Sequence, residues 1–228
     1  MKLNPPNPLD SIITLAVLES ALGQPEYQLN FSPQAKKVII EFEQFPSMIK
    51  SFEKHRHPDG LPPTQAEFVA GFETDYQASR PALFAPSVHA ATIARLQKTY
   101  PSLVRDLHLY LLCQASKKFY RVIRDSELDE RYGIDLLIMG AQGREYYICA
   151  TVGTKSARSW RKVKQGSRNL RRPERVGLTG DFIELPLDGG QKTIGTGRHP
   201  WHLYSQAHVE YIAARIAQLR KRPAAYAG

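Results

Sequence analysis

Two apolar stretches in the second half of the chain decide its fold: GIDLLIMG at Gly133–Gly140 and REYYICATVG at Arg144–Gly153. Both are short and rich in branched and aromatic residues, which is typical of strands buried in a sheet. The Gln142-Gly143 step between them favours a tight turn, because glycine tolerates the backbone angles that turns require. The two stretches therefore predict a β-hairpin.

Segments on either side extend this pattern. FYRVIRD at Phe119–Asp125 and DFIELPL at Asp181–Leu187 predict further strands. Pro101 suits the first turn of a core helix that runs to Ser116, since apolar residues recur there at helical spacing. An amphipathic helix is predicted at His208–Arg222, with basic residues at its C-terminal end. We therefore predict an α/β (α+β) fold in which a central mixed β-sheet is flanked by helices.

The first hundred residues are predicted to be mostly helical. Thr64 and Glu67 form a capping-box pattern at the start of one helix, and the proline-rich stretch His55–Pro63 predicts a loop. This organisation predicts an α-helical N-terminal region at residues 1–100 and an α/β domain at residues 101–228. Two further helices are predicted at Ser11–Leu22 and Ser87–Tyr100. A helix is also predicted at Gln34–Phe45, where a strand is the alternative. A loop is predicted at Thr193–His208.

The composition limits the classes of function. The chain has 228 residues, of which 42% are hydrophobic, enough for one sizeable core or two small ones. Cys113 and Cys149 lie in apolar runs, which predicts buried, inert thiols and excludes a disulfide framework. The sequence shows no signal-peptide pattern and no apolar run of about 20 residues, the length that crosses a bilayer. We expect a cytoplasmic protein with no membrane partner.

The positive charge is concentrated in one segment. Between Lys155 and Arg175 nine basic residues stand against one acid, Glu174, so this basic segment carries +8 while the whole chain carries +9. Such a density of cations is typical of proteins that contact phosphates, and we expect a nucleic-acid partner, in the first place DNA. The residues expected to contact nucleic acid are Lys155, Arg158, Arg161, Lys162, Lys164, Arg168, Arg171, Arg172 and Arg175.

Other interpretations of the basic segment remain open. It is compatible with a solvated face that binds nothing, and with a surface that binds an acidic protein. An anionic membrane is disfavoured because the segment has no amphipathic apolar face. A helix across Ser156–Arg172 would place Arg161, Lys164 and Arg168 near one side, where backbone phosphates are the first expected contact.

Asp135 is the residue of the hairpin that indicates a functional site. Charged side chains are almost never buried without a partner or a metal. An aspartate inside GIDLLI is therefore expected at the edge of a buried sheet, where its carboxylate can hold a cation or accept hydrogen bonds. The alternative is that Asp135 caps the turn after Tyr132-Gly133.

The order of these elements resembles the PD-(D/E)XK, or restriction-endonuclease-like, nuclease superfamily over about residues 101–215. Members of that superfamily have a core helix, a strand bearing Gly-Ile/Val-Asp, a second strand bearing Glu/Gln-x-Lys, and a following helix. The helix at 102–116, Gly133-Ile134-Asp135 and Glu145–Gly153 follow that layout. The resemblance implies a restriction-endonuclease-like fold, Asp135 as a ligand of Mg²⁺, and Mg²⁺-dependent endonuclease cleavage of DNA. It also implies a restriction, defence or mobile-element context.

The second strand departs from the family pattern. Cys149-Ala150-Thr151 stands where the family has Glu/Gln-x-Lys. Glu145 shares the strand face of Cys149 but lies four residues earlier, roughly 13 Å along the strand, and would serve only with a shifted register. The missing lysine would come from Lys155 or Lys162. Asp135, Glu145, Lys155 and Lys162 are therefore the candidate catalytic residues.

A second carboxylate would also have to come from outside the second strand. The candidates are Asp106 on the core helix and Glu127, Asp129 and Glu130 in the loop expected before Asp135. If none of them reaches Asp135, the interpretation changes to a catalytically inactive module that binds DNA or RNA for a partner complex. A protein partner or a homodimer is compatible with both interpretations.

Overall fold

We describe the fold from a computed structural model of the chain. It describes residues 7–32, 45–140, 142–151, 178–187, 190–195 and 198–221. The basic segment and the helix predicted within it lie outside the described residues, as does nearly all of Gln34–Phe45. Within the described part of the chain, no helix has both the length and the apolar character needed to cross a bilayer.

The described residues form six α-helices, three short 3-10 helices and six strands. The 3-10 helices lie at Pro8–Ser11, Pro25–Tyr27 and Pro81–Phe84. The α-helices are α1 (Leu15–Leu22), α2 (Met48–Lys54), α3 (Gln65–Tyr76), α4 (Pro86–Ala115), α5 (Ser126–Tyr132) and α6 (Gln206–Arg220). The strands are β1 (Arg121–Ile123), β2 (Leu136–Met139), β3 (Glu145–Thr151), β4 (Asp181–Pro186), β5 (Lys192–Ile194) and β6 (Trp201–Leu203).

Strands β1 to β4 form one mixed sheet in the order β1-β2-β3-β4. Strand β2 runs antiparallel to both β1 and β3, whereas β4 runs parallel to β3. The register of the hairpin places Leu136 opposite Ile148 and Met139 opposite Glu145. The expected mixed sheet with helices in the same chain is confirmed, and the pair β5–β6 forms a separate two-stranded sheet.

The chain divides into two compact units. The described part of the first unit comprises residues 108–140, 142–151, 178–187, 190–192 and 203–221, and contains the four-stranded sheet. The described part of the second comprises residues 7–32, 45–107, 193–195 and 198–202, and is mainly helical. Helix α4 contributes to both units.

The two central strands of this sheet, β2 and β3, are buried on both faces, which explains why their sequences are short apolar runs. Side chains alternate between the faces along each strand. Leu137, Tyr147 and Cys149 lie on one face, in an apolar cluster that also contains Leu128 of α5. Ile138 and Tyr146 have the opposite parity and are also buried.

An aromatic core holds the second unit together. The ring of Phe68 lies 6.1 Å from that of Phe52 and 5.8 Å from that of Tyr100, centroid to centroid. Helix α3 begins with the predicted capping box, in which Thr64 and Glu67 each bond to the other's backbone amide. This confirms the sequence-based start of the helix.

Helix α4 corrects the prediction of two helices that meet at Pro101, because it runs unbroken through the proline. Proline has no N–H to donate to the carbonyl four residues earlier, which is that of Gln97. The side-chain amide of Gln65 donates to this carbonyl instead, at 3.0 Å. The polar group that the proline would leave unpaired is thereby satisfied, and the helix continues.

Two other segments differ from the prediction. Ser126–Tyr132, expected as part of a loop, forms α5, because Asp125 caps its first turn and Gly133 ends it. Thr193–His208 contributes to strands β5 and β6, and to the first residues of α6. These strands have three residues each and carry no alternating pattern long enough to predict them.

Candidate metal site at Asp135

Asp135 lies directly before β2 and is fixed to β3 at two points. Its backbone N–H donates to the carbonyl of Ile148 at 2.9 Å. Its carboxylate Oδ2 accepts from the backbone N–H of Ala150 at 2.5 Å. The sheet therefore sets both the position and the orientation of this side chain, which remains partly exposed.

Helix α5 brings a second carboxylate close to Asp135. Asp125 caps the helix and accepts from the amides of Glu127 at 2.8 Å and Leu128 at 3.3 Å. The helix ends at Gly133, whose left-handed backbone (φ 63°) allows its N–H to donate to the carbonyl of Asp129 at 2.8 Å. Because only Ile134 separates this cap from Asp135, the turn brings α5 and its Asp129 back beside the start of β2.

Two aspartates of the first unit meet at this point. One carboxylate oxygen of Asp129 lies within 4.8 Å of one of Asp135, and both residues are partly exposed. Asp106, on α4, belongs to the second unit. Of the carboxylates that the sequence offers as partners of Asp135, Asp129 is the one that the first unit places beside it.

The geometry of the cluster suits a hard divalent cation. Ca²⁺ binds carboxylate oxygens at roughly 2.3–2.6 Å and Mg²⁺ at roughly 2.0–2.1 Å, so two oxygens on one ion lie at most about 4 to 5 Å apart. The carboxylates of Asp129 and Asp135 satisfy this limit with little movement. Such a cation would also offset the mutual repulsion of neighbouring carboxylates.

The structure does not bring Glu145 to Asp135. Glu145 begins β3 and pairs with Met139, at the opposite end of the hairpin from Asp135. Its carboxylate accepts a hydrogen bond from the hydroxyl of Tyr147. Burial, and after it this bond to Glu145, raises the pKa of Tyr147. Glu145 is therefore held by a neighbour on its own strand, and the shifted register that its catalytic role would need does not occur.

The two cysteines lie in apolar surroundings, as the sequence predicts. Cys149 is 3% exposed and packs in the apolar cluster with Leu137 and Tyr147. Burial raises the pKa of Cys113 to about 12. Position 149 follows Ile148, which pairs with Leu136, so the register puts Cys149 at the level of Asp135. An apolar thiol thus occupies the level at which the family pattern has an acid.

The remaining predicted site residues belong to the basic segment. All of them lie outside the described residues. They are the candidate lysines Lys155 and Lys162, and the seven other arginines and lysines that are expected to contact nucleic acid. Their roles stay predictions from the sequence.

His208 has a structural role. Its Nδ1 lies 2.9 Å from the backbone nitrogen of Ser205, at the start of α6, and its Nε2 lies 3.2 Å from the carbonyl of Leu187. These contacts cap the helix and join it to the end of β4. They agree with the interpretation of this histidine as a packing residue.

The sequence also contains a signal for the placement of Asp129. Asp125 before Ser126-Glu127 and Gly133 after Tyr132 are the usual start and stop signals of a helix, and they predict α5 with Asp129 on it. Sequence spacing alone does not show that the side chains of Asp129 and Asp135 meet.

The chain matches no protein-family model, and comparisons with curated proteins and with solved structures give no match either. The likeness to the PD-(D/E)XK superfamily therefore rests on the order of elements and on Gly133-Ile134-Asp135.

Proposed function

We propose that the chain is a DNA-binding protein with a PD-(D/E)XK-like core that hydrolyses DNA phosphodiester bonds with Mg²⁺. The observation that carries this proposal is the meeting of the carboxylates of Asp129 and Asp135 within 4.8 Å. A lone carboxylate seldom holds Mg²⁺ well, whereas two around one point supply ligands for an ion that also keeps several waters.

The proposed division of roles follows from the charges. Asp135 and Asp129 would hold the metal. When bound, Mg²⁺ supplies a Lewis acid that polarises the phosphate and lowers the pKa of a bound water. The basic segment would hold the DNA backbone through phosphate contacts, and Lys155 or Lys162 would stabilise the charge that develops on the phosphate.

The fold supports this proposal at a coarser level. The order of the elements agrees with the core helix and strands expected from the resemblance. Helix α4 comes first, then the hairpin β2–β3 with an aspartate at its start, and then the later strand β4. The hydrogen bond from Ala150 to Asp135 holds the aspartate at the edge of the sheet. A carboxylate fixed in this way is preorganised for a metal.

A second candidate function is supported by Cys149. The buried thiol at the level of Asp135, followed by Ala150 and Thr151, leaves β3 without the acid and lysine of the family motif. On this view the fold binds DNA or RNA for a partner complex and does not cleave it. The acidic cluster would then have a structural role only.

One experiment separates these functions. Supercoiled plasmid and single-stranded DNA are incubated with the wild-type chain, Asp135→Asn and Asp59→Asn, each in Mg²⁺, Mn²⁺ or a chelator. Asp135→Asn removes the charge but keeps an oxygen for the amide of Ala150. Asp59→Asn is the matched control, because it makes the same charge change at an exposed loop residue whose oxygen accepts from the amide of Leu61.

The proposal expects metal-dependent cutting by the wild type and the control that is lost in Asp135→Asn. DNA binding by all three proteins without cutting supports the second candidate. If none of them binds DNA in dilute buffer, both candidates are wrong.

A further inference from the structure

A groove lies in the first unit, between α6 and the strands β2 and β3. Its volume is about 320 Å³, and its lining includes Lys118, Gly140, Tyr146, Ile216, Arg220 and Lys221. This size is at the lower end of the range of small-molecule pockets. Neither Asp129 nor Asp135 lines it, so the groove is separate from the acidic cluster and independent of the proposed function.

Tyr146 is a lining residue of this groove whose polar group lacks a partner among the described residues. The side chain is fully buried, and its hydroxyl has no hydrogen-bond partner among the described residues. Buried polar groups almost always have a partner, because leaving one unpaired costs the solvation it had in water. The other tyrosine of β3, Tyr147, follows this rule and donates to Glu145.

Gly140 keeps the space beside the tyrosine ring open. A Cβ atom at this position would lie 3.3 Å from Cε2 of Tyr146 and 3.5 Å from Nη2 of Arg220. The first distance is tighter than an ordinary van der Waals contact. The tyrosine ring and the Arg220 guanidinium therefore converge on the same point of the groove, and a side chain at residue 140 would fill it.

The charges of the groove favour an anion. Lys118, Arg220 and Lys221 line it, and no acidic residue is among the described residues that do. Glu210, outside the lining, neutralises Lys118 through an ion pair. The dipole of α6 accounts for cations at its C-terminal end, but it does not account for the unpaired hydroxyl of Tyr146. A guanidinium is suited to carboxylate or phosphate oxygens.

We infer that this groove binds a small organic anion with a flat apolar body. The body would lie against Ile138 and Ile216, the anionic group would contact Arg220, and an oxygen of the ligand would accept from the hydroxyl of Tyr146. Carboxylates and phosphate monoesters share this chemistry.

The test uses 8-anilinonaphthalene-1-sulfonate, a fluorescent aromatic anion, titrated into the full-length chain. Three variants alter the groove: Tyr146→Phe, Gly140→Ala and Arg220→Gln. The matched control is Arg215→Gln, which removes the same charge from the same helix but outside the lining. We expect saturable binding in the wild type and in the control. Arg220→Gln should weaken it about tenfold, or ~1.4 kcal/mol, and Gly140→Ala should weaken it at least as much.

Tyr146→Phe separates a ligand-binding role from a structural one. Removal of an unpaired buried hydroxyl should leave the melting temperature of the free protein at or above that of the wild type, while it weakens probe binding several-fold. A lower melting temperature with unchanged binding would contradict the inference, as would equal probe affinity in all the variants.

Competition identifies the anion. If salicylate displaces the probe and adenosine monophosphate does not, the ligand is a carboxylate. If adenosine monophosphate displaces it and salicylate does not, the ligand is a phosphate monoester. Failure of both to displace it would overturn the inference.

Discussion

The carboxylate of Asp135 accepts a hydrogen bond from the backbone amide of Ala150, with 2.5 Å between Oδ2 and N. This bond crosses from the start of β2 to the neighbouring strand β3. It holds one oxygen of the carboxylate at the sheet edge while the residue stays partly exposed. The aspartate therefore contributes to the sheet and to the acidic cluster at the same time, and the two contributions can be measured separately.

Asp135→Ala is expected to destabilise the fold more than Asp135→Asn. Both variants remove the charge from the cluster, but only alanine leaves the amide of Ala150 without its acceptor. An unpaired group of this kind costs about 1–3 kcal/mol, which is the expected difference in the free energy of unfolding in urea without metal. Equal stability of the two variants would show that this hydrogen bond does not hold the aspartate in place.

Gln65 is expected to stabilise α4 because Pro101 is present. Gln65→Ala removes the donor to the Gln97 carbonyl and should cost about 1–3 kcal/mol. In a Pro101→Ala background the new backbone N–H can bond to that carbonyl, so the cost should be smaller. A double-mutant cycle of urea unfolding measures this coupling. Additive effects would mean that the side-chain bond does not replace the missing helical one. The bond that Gln65 also accepts from the amide of Asn30 is lost in both backgrounds and cancels.

DNA binding is expected to depend steeply on salt through the basic segment. Each phosphate contact contributes about 0.9 to the slope of log affinity against log salt. The double variant Arg161→Gln/Lys164→Gln should therefore lower the slope by about 1.8 if both side chains contact phosphates. Lys98→Gln/Arg215→Gln makes the same charge change at exposed residues elsewhere. If the two double variants lower the slope equally, binding is not localised to the basic segment.

Asp75 is expected to make the fold sensitive to acid. Burial acts to raise the pKa of this carboxyl, but hydrogen bonds from Lys54, Ser51 and His55 outweigh burial and lower the pKa below its usual value of 3.8. A carboxyl with a lowered pKa in the folded state stabilises the fold above the unfolded-state pKa, and this contribution is lost as the pH falls through the folded-state value. Asp75→Asn should therefore reduce stability at pH 7 and flatten its decline below pH 3.8. Parallel wild-type and variant curves of unfolding free energy against pH would contradict this.

Local patterns in the sequence carry much of the fold. The apolar runs of GIDLLIMG and REYYICATVG, the capping box at Thr64 and the periodic apolar residues of the last helix each correspond to an element of the structure. These signals are local, because a strand or a cap depends on residues next to one another. Pro101 misled the prediction because its effect on α4 is offset by Gln65, a residue distant in the sequence.

The candidate site was only partly predictable for the same reason. Asp135 stands out because an acid in an apolar strand requires a partner. Its neighbour Asp129 looks like an ordinary surface acid in the sequence, and only the turn at Gly133 brings its oxygen within 4.8 Å of that of Asp135. Glu145 needed a shifted register to take part, and the register with Met139 places it at the far end of the hairpin.

The most direct test of the account is a titration of the metal-free protein with Mn²⁺, followed by electron paramagnetic resonance of the unbound ion. Wild type, Asp129→Asn, Asp135→Asn and the control Asp59→Asn are compared at the same ionic strength. We predict one saturable site in the wild type and the control, weakened roughly tenfold or more in Asp129→Asn and in Asp135→Asn. Mn²⁺ binding of equal strength in all four proteins, or no binding by the wild type, would contradict a metal site at Asp135.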